Sequence, residues 1–116
     1  MSEDTIFHSI MRREIPAHIV NEDEGIIAFR DIAPQAPVHI LFVPKQTIRG
    51  LDAAEAGDAE MLGRLALAAA AYARREGFAE KGYRVVMNCN EEGGQTVFQM
   101  HLHLLAGAPL GHFGAP

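Results

Sequence analysis

Histidines and apolar residues alternate near the end of the chain, in the run Gln99-Met100-His101-Leu102-His103-Leu104-Leu105. Because side chains on a β-strand point alternately to opposite faces, this run predicts a polar face with Gln99, His101 and His103. The apolar residues between them then face the core. Two imidazoles on one strand face are close enough to bind a phosphate or a metal ion, or to share a proton.

Two glycines and two polar residues, Gly93-Gly94-Gln95-Thr96, come shortly before this run. Glycine lets main-chain N–H groups approach an anion closely, and the Gln95 and Thr96 side chains supply further donors. The sequence therefore predicts a site for a negatively charged ligand at this end of the chain.

A third histidine, His39, lies in the apolar run 38–43, which ends at Pro44. A single histidine in such a run is more often a buried structural residue than a catalytic one. If this strand and the strand of His101 are neighbours in one sheet, however, the two histidines meet on the same face. Residue chemistry alone leaves both interpretations of His39 open.

Five stretches have the composition of β-strands: 18–20, 25–29, 38–43, 83–88 and 99–105. The first two are separated by a short acidic turn and predict a hairpin, as do the last two. Together they predict an antiparallel sheet of about five strands, which is a common sheet size.

One long helix is predicted over 52–76, because Asp52 and Asp58 both suit its N-cap and Gly77 suits the residue beyond its end. A short amphipathic helix is predicted over 5–11. Helical spacing predicts the buried stripe of the long helix as Leu62, Leu65, Ala69, Tyr72 and Ala73. The fold class is therefore α+β, a sheet packed by one long helix.

The chain of 116 residues is long enough for one domain, 1–116, with a single core. It lacks an apolar run of membrane-spanning length, and its acidic N-terminus does not have the pattern of a signal peptide. A single cysteine excludes an internal disulfide, so we expect a cytoplasmic protein. The net charge of −5 argues against general nucleic-acid binding through a basic face.

The run at 99–105 resembles the signature of the histidine triad (HIT) superfamily, and most closely its HINT branch, the purine nucleoside phosphoramidases. Further motifs of that branch occur in the same order along almost the whole chain. They are Thr5-Ile6-Phe7, Arg13-Glu14-Ile15-Pro16, Ala28-Phe29-Arg30-Asp31-Ile32-Ala33-Pro34-Gln35-Ala36-Pro37, Val38-His39, Val43-Pro44-Lys45, Lys81-Gly82-Tyr83-Arg84, Asn88 and Gly93-Gly94-Gln95-Thr96.

The resemblance implies a HIT-like fold, a homodimer with one continuous sheet, and a purine nucleotide or nucleoside phosphoramidate as ligand. It also assigns roles that chemistry alone does not: Asp31, otherwise a solvated loop residue, would bind the ribose hydroxyls, and Asn88, otherwise a turn residue, would contact the ligand. The implied nucleotide-binding residues are Ile6, Phe7, Ile10, Phe29, Asp31, Ile32, Asn88, Gln95, Thr96, Val97, Gln99, His101 and His103.

In the implied reaction, His101 attacks the α-phosphorus and forms a nucleotidyl-histidine, which water hydrolyses. His103 and the amides near Thr96 would stabilise the phosphate charge, and His39 would orient a neighbour or relay a proton. We expect no required cofactor.

The chain departs from the family at two places: Gln99 replaces the first histidine of the triad, and Ala106-Gly107-Ala108 replaces Gly-Gly-Arg. We expect the main-chain carbonyl of Gln99 to fix the tautomer of His101 without an imidazole. The Gln99 side chain is expected to bond a phosphate oxygen or His39.

Two other functions remain open at this point. The loss of the first triad histidine is compatible with a nucleotide-binding protein whose catalysis is weak or lost. Alternating histidines can also ligate zinc, through His39, His101 and His103. We rank zinc last, because the sequence shows no carboxylate or cysteine beside the triad as a second shell.

Overall fold

The computed structural model describes residues 4–112. Five strands form one sheet in which hydrogen-bonded neighbours are antiparallel, in the order β1-β2-β3-β5-β4. Their bounds are β1 Ile19–Glu22, β2 Ile26–Arg30, β3 Val38–Pro44, β4 Arg84–Val86 and β5 Leu102–Ala106. The predicted α+β fold is confirmed. Strand β5 begins later than expected, so Gln99 and His101 precede it.

Two α-helices cover the sheet, α1 at Ile6–Met11 and α2 at Ala59–Glu76. The predicted start of the long helix at residue 52 is wrong, because the extended Ala54 ends a first 3-10 turn, Leu51–Ala53, and only the second, Ala56–Asp58, leads directly into α2. Asp58 accepts a hydrogen bond from the Glu55 N–H and so closes the second 3-10 turn. The end at Gly77, with its left-handed φ of 87°, is as predicted. No helix within residues 4–112 is long and apolar enough to cross a membrane.

The two faces of the sheet carry separate cores. Helix α2 buries Leu65, Ala69 and Tyr72 against one face; Leu62, also predicted as buried, is only half-buried. Helix α1 brings Phe7 and Ile10 to the other face, where they pack on the β2 and β3 residues Ile27, Phe29, Leu41 and Val43.

The histidines lie on the face covered by α1. His39 is two residues from Leu41 on β3, and His103 of β5 lies directly opposite Leu41. Because residues two apart on a strand share a face, and so do directly paired residues, both imidazoles project beside the smaller core.

Candidate active site

His101 lies just before β5 and is only 6% exposed. Its Nδ1 is 2.7 Å from the main-chain oxygen of Gln99. A carbonyl oxygen only accepts hydrogen bonds, so Nδ1 carries the proton and Nε2 keeps its lone pair. This confirms the role expected for the Gln99 carbonyl. Nε2 has no hydrogen-bond partner among residues 4–112.

The His101 ring packs against α1. The Phe7 ring meets it at 84°, with the centroids 4.9 Å apart, and Phe7 in turn packs against Phe29. This edge-to-face contact covers the imidazole with an apolar side chain and keeps water from that side.

His39 and His103 form a direct hydrogen bond, with 2.8 Å between His39 Nε2 and His103 Nδ1. The other ring nitrogen of His39 accepts the main-chain N–H of Gln35 at 3.1 Å. Asp31 Oδ2 lies 3.5 Å from His39 Nε2. The sequence predicted only that His39 and His101 meet on the same face; the histidine that hydrogen-bonds His39 is His103.

Burial keeps this histidine cluster neutral. Burial lowers the pKa of His39 and of His101 below the ordinary histidine value. The pKa of His103 is lowered to about 4, first by burial and then by the neighbouring His101 and His39. The charge of Asp31 opposes this effect at all three rings, because a nearby anion favours the imidazolium.

Gln99 has a structural role in this fold. Its side chain is fully buried, its oxygen accepts the Ile48 N–H at 3.1 Å, and its nitrogen donates to the carbonyls of Pro44 at 3.0 Å and Gln46 at 2.7 Å. The expectation that this side chain shares a face with His101 and bonds a phosphate oxygen or His39 is wrong, because the 44–48 segment uses its donors and its acceptor.

Gln95 is also occupied by the main chain. Its nitrogen donates to the carbonyls of Arg49 and Val97 at 2.7 and 3.1 Å, and its oxygen accepts the Asn90 N–H at 2.8 Å. Its side chain therefore fixes the loop before the triad, and the predicted contact of that side chain with a ligand is not available in this conformation.

The other predicted nucleotide-binding residues divide by exposure. Phe7, Ile10 and Phe29 are buried in the smaller core. Ile32 is 90% exposed and Ile6 49% exposed. Three predicted residues remain. Thr96 is exposed, Val97 is half-buried, and the Asn88 side chain donates to the carbonyl of Gly93.

A metal ion has a different set of candidate ligands from the predicted one. Asp31, His39 and His103 each offer one ligand atom, and these atoms lie within 4.8 Å of one another. The sequence predicted His101 in place of Asp31 and no carboxylate beside the triad, whereas Asp31 is such a carboxylate. A metal here would have to replace the proton between His39 and His103.

Sequence reasoning missed the Gln35 contact to His39. The group involved is a main-chain N–H, so the residue type carries no signal. Only the path of the 31–37 loop, which returns the chain to the start of β3, brings that N–H to the ring.

Comparison with known proteins gives one family. The model of the HIT domain matches residues 12–110 of the chain. The purine nucleoside phosphoramidase of Escherichia coli (strain K12) is 51% identical over 111 residues, which cover 96% of this chain and 93% of that protein. A 14 kDa zinc-binding protein of Zea mays is 50% identical over 105 residues, covering 89% of this chain and 81% of that protein.

Solved structures agree with this result. A HIT family hydrolase from Clostridium thermocellum superimposes with a TM-score of 0.92 at 42% sequence identity, covering 98% of this chain and 99% of that one. This chain therefore has the fold and the histidine cluster described above, and several of its relatives are named as hydrolases or phosphoramidases.

Proposed function

The chain belongs to the HIT domain family, and on that premise we propose that it is a hydrolase of purine nucleoside 5′-phosphoramidates or related nucleotidyl conjugates. The product is the nucleoside monophosphate. The observation that carries the proposal is the His101 ring, whose Nδ1 proton is held by the Gln99 carbonyl at 2.7 Å. The name of the Escherichia coli relative supports the substrate class.

The reaction has two steps at His101. In the first, Nε2 attacks the α-phosphorus, the phosphorus–nitrogen bond breaks, and the leaving nitrogen takes a proton from solvent water and departs as the amine. In the second, water attacks the nucleotidyl-histidine and releases the monophosphate and the free imidazole. A lowered pKa supports this role, because it keeps His101 neutral and nucleophilic at neutral pH.

We propose that His103 stabilises the charge that gathers on the phosphate. Its ring centroid is 5.0 Å from that of His101. With its proton on Nε2, His103 would donate to an oxygen of the phosphate group that is bonded to His101 Nε2. The exposed Thr96 hydroxyl would donate to another oxygen of that group. His39 acts behind His103 and orients it.

The nucleoside would lie across the face covered by α1. We assign the ribose hydroxyls to Asp31, whose side chain is 20% exposed beside His39. The exposed side chains of Ile6 and Ile32 would close on the purine, with Val97 beside them. Phe7, Ile10 and Phe29 form the buried floor, while Asn88, Gln95 and Gln99 hold the loops that shape the site.

Turnover of an adenosine phosphoramidate tests the proposal. We expect the wild type to release AMP and His101→Ala to lose activity by on the order of 10³-fold or more. His18→Ala is the matched control, since His18 is exposed and has no part in the site. A wild type that binds AMP without turnover would identify a nucleotide-binding protein instead.

Zinc binding is a second candidate function. The favouring observation is the set Asp31, His39 and His103, together with the name of the Zea mays relative. We propose that activity needs no metal, because the proposed nucleophile His101 is not among these three candidate ligands. Elemental analysis of the active protein decides this: stoichiometric zinc that is lost together with activity on chelation would overturn it.

We also propose a homodimer. Strand β4 is at the edge of the sheet and, among residues 4–112, pairs with β5 alone. Val85 on this strand is 44% exposed, and Tyr83 just before it is 36% exposed. An edge strand with exposed apolar side chains is suited to pairing with a second copy.

A further inference from the structure

The main-chain N–H of Gln35 contacts His39, which would not itself touch the phosphorus of the proposed substrate. We propose that this N–H is a positioning group: it fixes the tautomer of His39, and through His39 it makes His103 present an N–H to the phosphate. The last step rests on the proposed function, whereas the two tautomers follow from the geometry of the chain alone.

The first step concerns His39. Gln35 N is 3.1 Å from His39 Nδ1, and a main-chain N–H only donates. His39 Nδ1 must therefore hold a lone pair, and the proton of the neutral ring is on Nε2. The Asp31 N–H donates to the His39 carbonyl at 3.0 Å. Two residues of the loop are therefore hydrogen-bonded to His39, Asp31 to its main chain and Gln35 to its ring.

The second step concerns the bond between the two rings. His39 Nε2 lies 2.8 Å from His103 Nδ1, and one of the two nitrogens must donate. Because His39 already carries its proton on Nε2, His39 donates and His103 Nδ1 accepts. Asp31 Oδ2, 3.5 Å from the same Nε2, also favours a proton there. The proton of neutral His103 is consequently on Nε2.

The third step concerns the ligand. His103 Nε2 has no hydrogen-bond partner among residues 4–112, and in this tautomer it is a donor. In the opposite tautomer, His103 would donate to His39 and turn a lone pair toward the phosphate oxygens, which would repel them. One main-chain N–H thus decides whether His103 stabilises or repels the phosphate.

The same geometry argues against a proton relay. A relay through His39 would need a proton source at its Nδ1, but the Gln35 amide does not release its proton under ordinary conditions. If His103 gave up its Nε2 proton and took one from His39, then His39 would be left as an anion. The tautomer of His39 therefore determines which nitrogen of His103 carries the proton, but no proton passes between the two rings. His39 is a positioning residue.

Ring-nitrogen NMR of the wild type, without substrate, gives the first test. Two-bond correlations between ¹⁵N and ring protons, recorded at about pH 8 where the imidazoles are neutral, distinguish the two tautomers. We expect His39 and His103 to carry their protons on Nε2 and His101 to carry its proton on Nδ1. A proton on Nδ1 of His39 or His103 would overturn the proposal, whatever the protein hydrolyses.

The second test removes only the N–H. An ester variant, with the α-hydroxy acid analogue of glutamine at residue 35, replaces that N–H by oxygen, and Gln35→Ala is the matched control that keeps it. We expect the ester variant to show protonated Nδ1 on His39 in a measurable fraction and kcat about 10- to 100-fold lower, with KM changed less than about threefold. Unchanged tautomers and kcat in the ester variant would contradict the inference.

Discussion

At the scale of single residues, Gln99 shows how a replaced triad histidine can leave the site intact. His101 needs an acceptor for its Nδ1 proton, and the Gln99 main chain supplies it at 2.7 Å. The side chain meanwhile joins Pro44, Gln46 and Ile48. The part of Gln99 that the chemistry uses is thus independent of residue type.

The substitution Gln99→His tests this division. We expect turnover to change by roughly tenfold or less, equal to about 1.4 kcal/mol of barrier, because the carbonyl remains. Stability should fall by about 1–3 kcal/mol, because a neutral imidazole has one donor and one acceptor and leaves a buried main-chain group without its partner. Kinetics and urea unfolding measure both. An inactive wild type that Gln99→His restores by several orders of magnitude would refute this role of the carbonyl.

The lowered histidine pKa values predict loss of both activity and stability in acid. Turnover should fall as His101 is protonated, at a pH below the ordinary histidine value of 6.5. Between pH 6.5 and about 4, the unfolded chain binds a proton that native His103 does not, so the free energy of unfolding decreases as pH falls. Urea unfolding at several pH values checks this, with His103→Asn expected to flatten the slope. An equal slope in both proteins would count against it.

The sequence predicted the reactive residue types but not all of their partners. Alternation and the family resemblance identified His101, His103 and His39, and the structure brings these together with Asp31. The amide of Gln99 can bond a phosphate or a main chain equally well. Its actual partners lie more than fifty residues earlier, and no local pattern shows where that segment passes.

At the scale of elements, helix α1 covers the nucleophile. Thr5 caps the helix and His8 completes the capping box, and His8 also bonds Thr47 on the neighbouring segment at 3.2 Å. These contacts hold Phe7 on the His101 ring. The helix therefore contributes to the lowered pKa of His101, because it excludes water from one side of the ring.

The substitutions Phe7→Leu and Ile6→Ala test the buried face and the exposed face of α1 separately. Phe7→Leu should destabilise the protein by about 1–3 kcal/mol and raise the pKa of His101 toward its ordinary value, because the ring is less well covered. Ile6 is 49% exposed, so Ile6→Ala should raise KM and leave the acid side of the pH–rate profile in place. An unchanged pH–rate profile in Phe7→Leu would show that α1 does not set this pKa.

The elements themselves were predictable where local patterns decide them. The C-terminal end of α2 follows from Arg74, Arg75 and Gly77, as the helix dipole and the left-handed cap require. Its start does not, because Asp52 and Asp58 are equally good caps and only the extended Ala54 selects between them. Strand β5 starts late because the Met100 N–H bonds the carbonyl of Ile48 outside the sheet.

At the scale of the whole molecule, β4 forms an edge of the sheet that has no further strand partner in the described part of the chain. We expect the protein to sediment as a dimer at micromolar concentration. Val85→Glu should give a monomer, because it places a charge on that edge. Leu51→Glu is the matched control, since Leu51 is 46% exposed and belongs to a 3-10 turn and not to a strand. A wild-type monomer, or a dimer in Val85→Glu, would contradict pairing through this edge.

The central claim is that His101 forms a covalent bond to the phosphorus of a nucleotide. The most direct measurement mixes the enzyme with a slowly hydrolysed adenosine phosphoramidate, quenches in alkali to preserve the phosphorus–nitrogen bond, and maps the modified peptide by mass spectrometry. We predict one AMP group per chain, attached to His101 and absent from His101→Ala. An adduct on His39 or His103, or turnover by His101→Ala at the wild-type rate, would contradict the account.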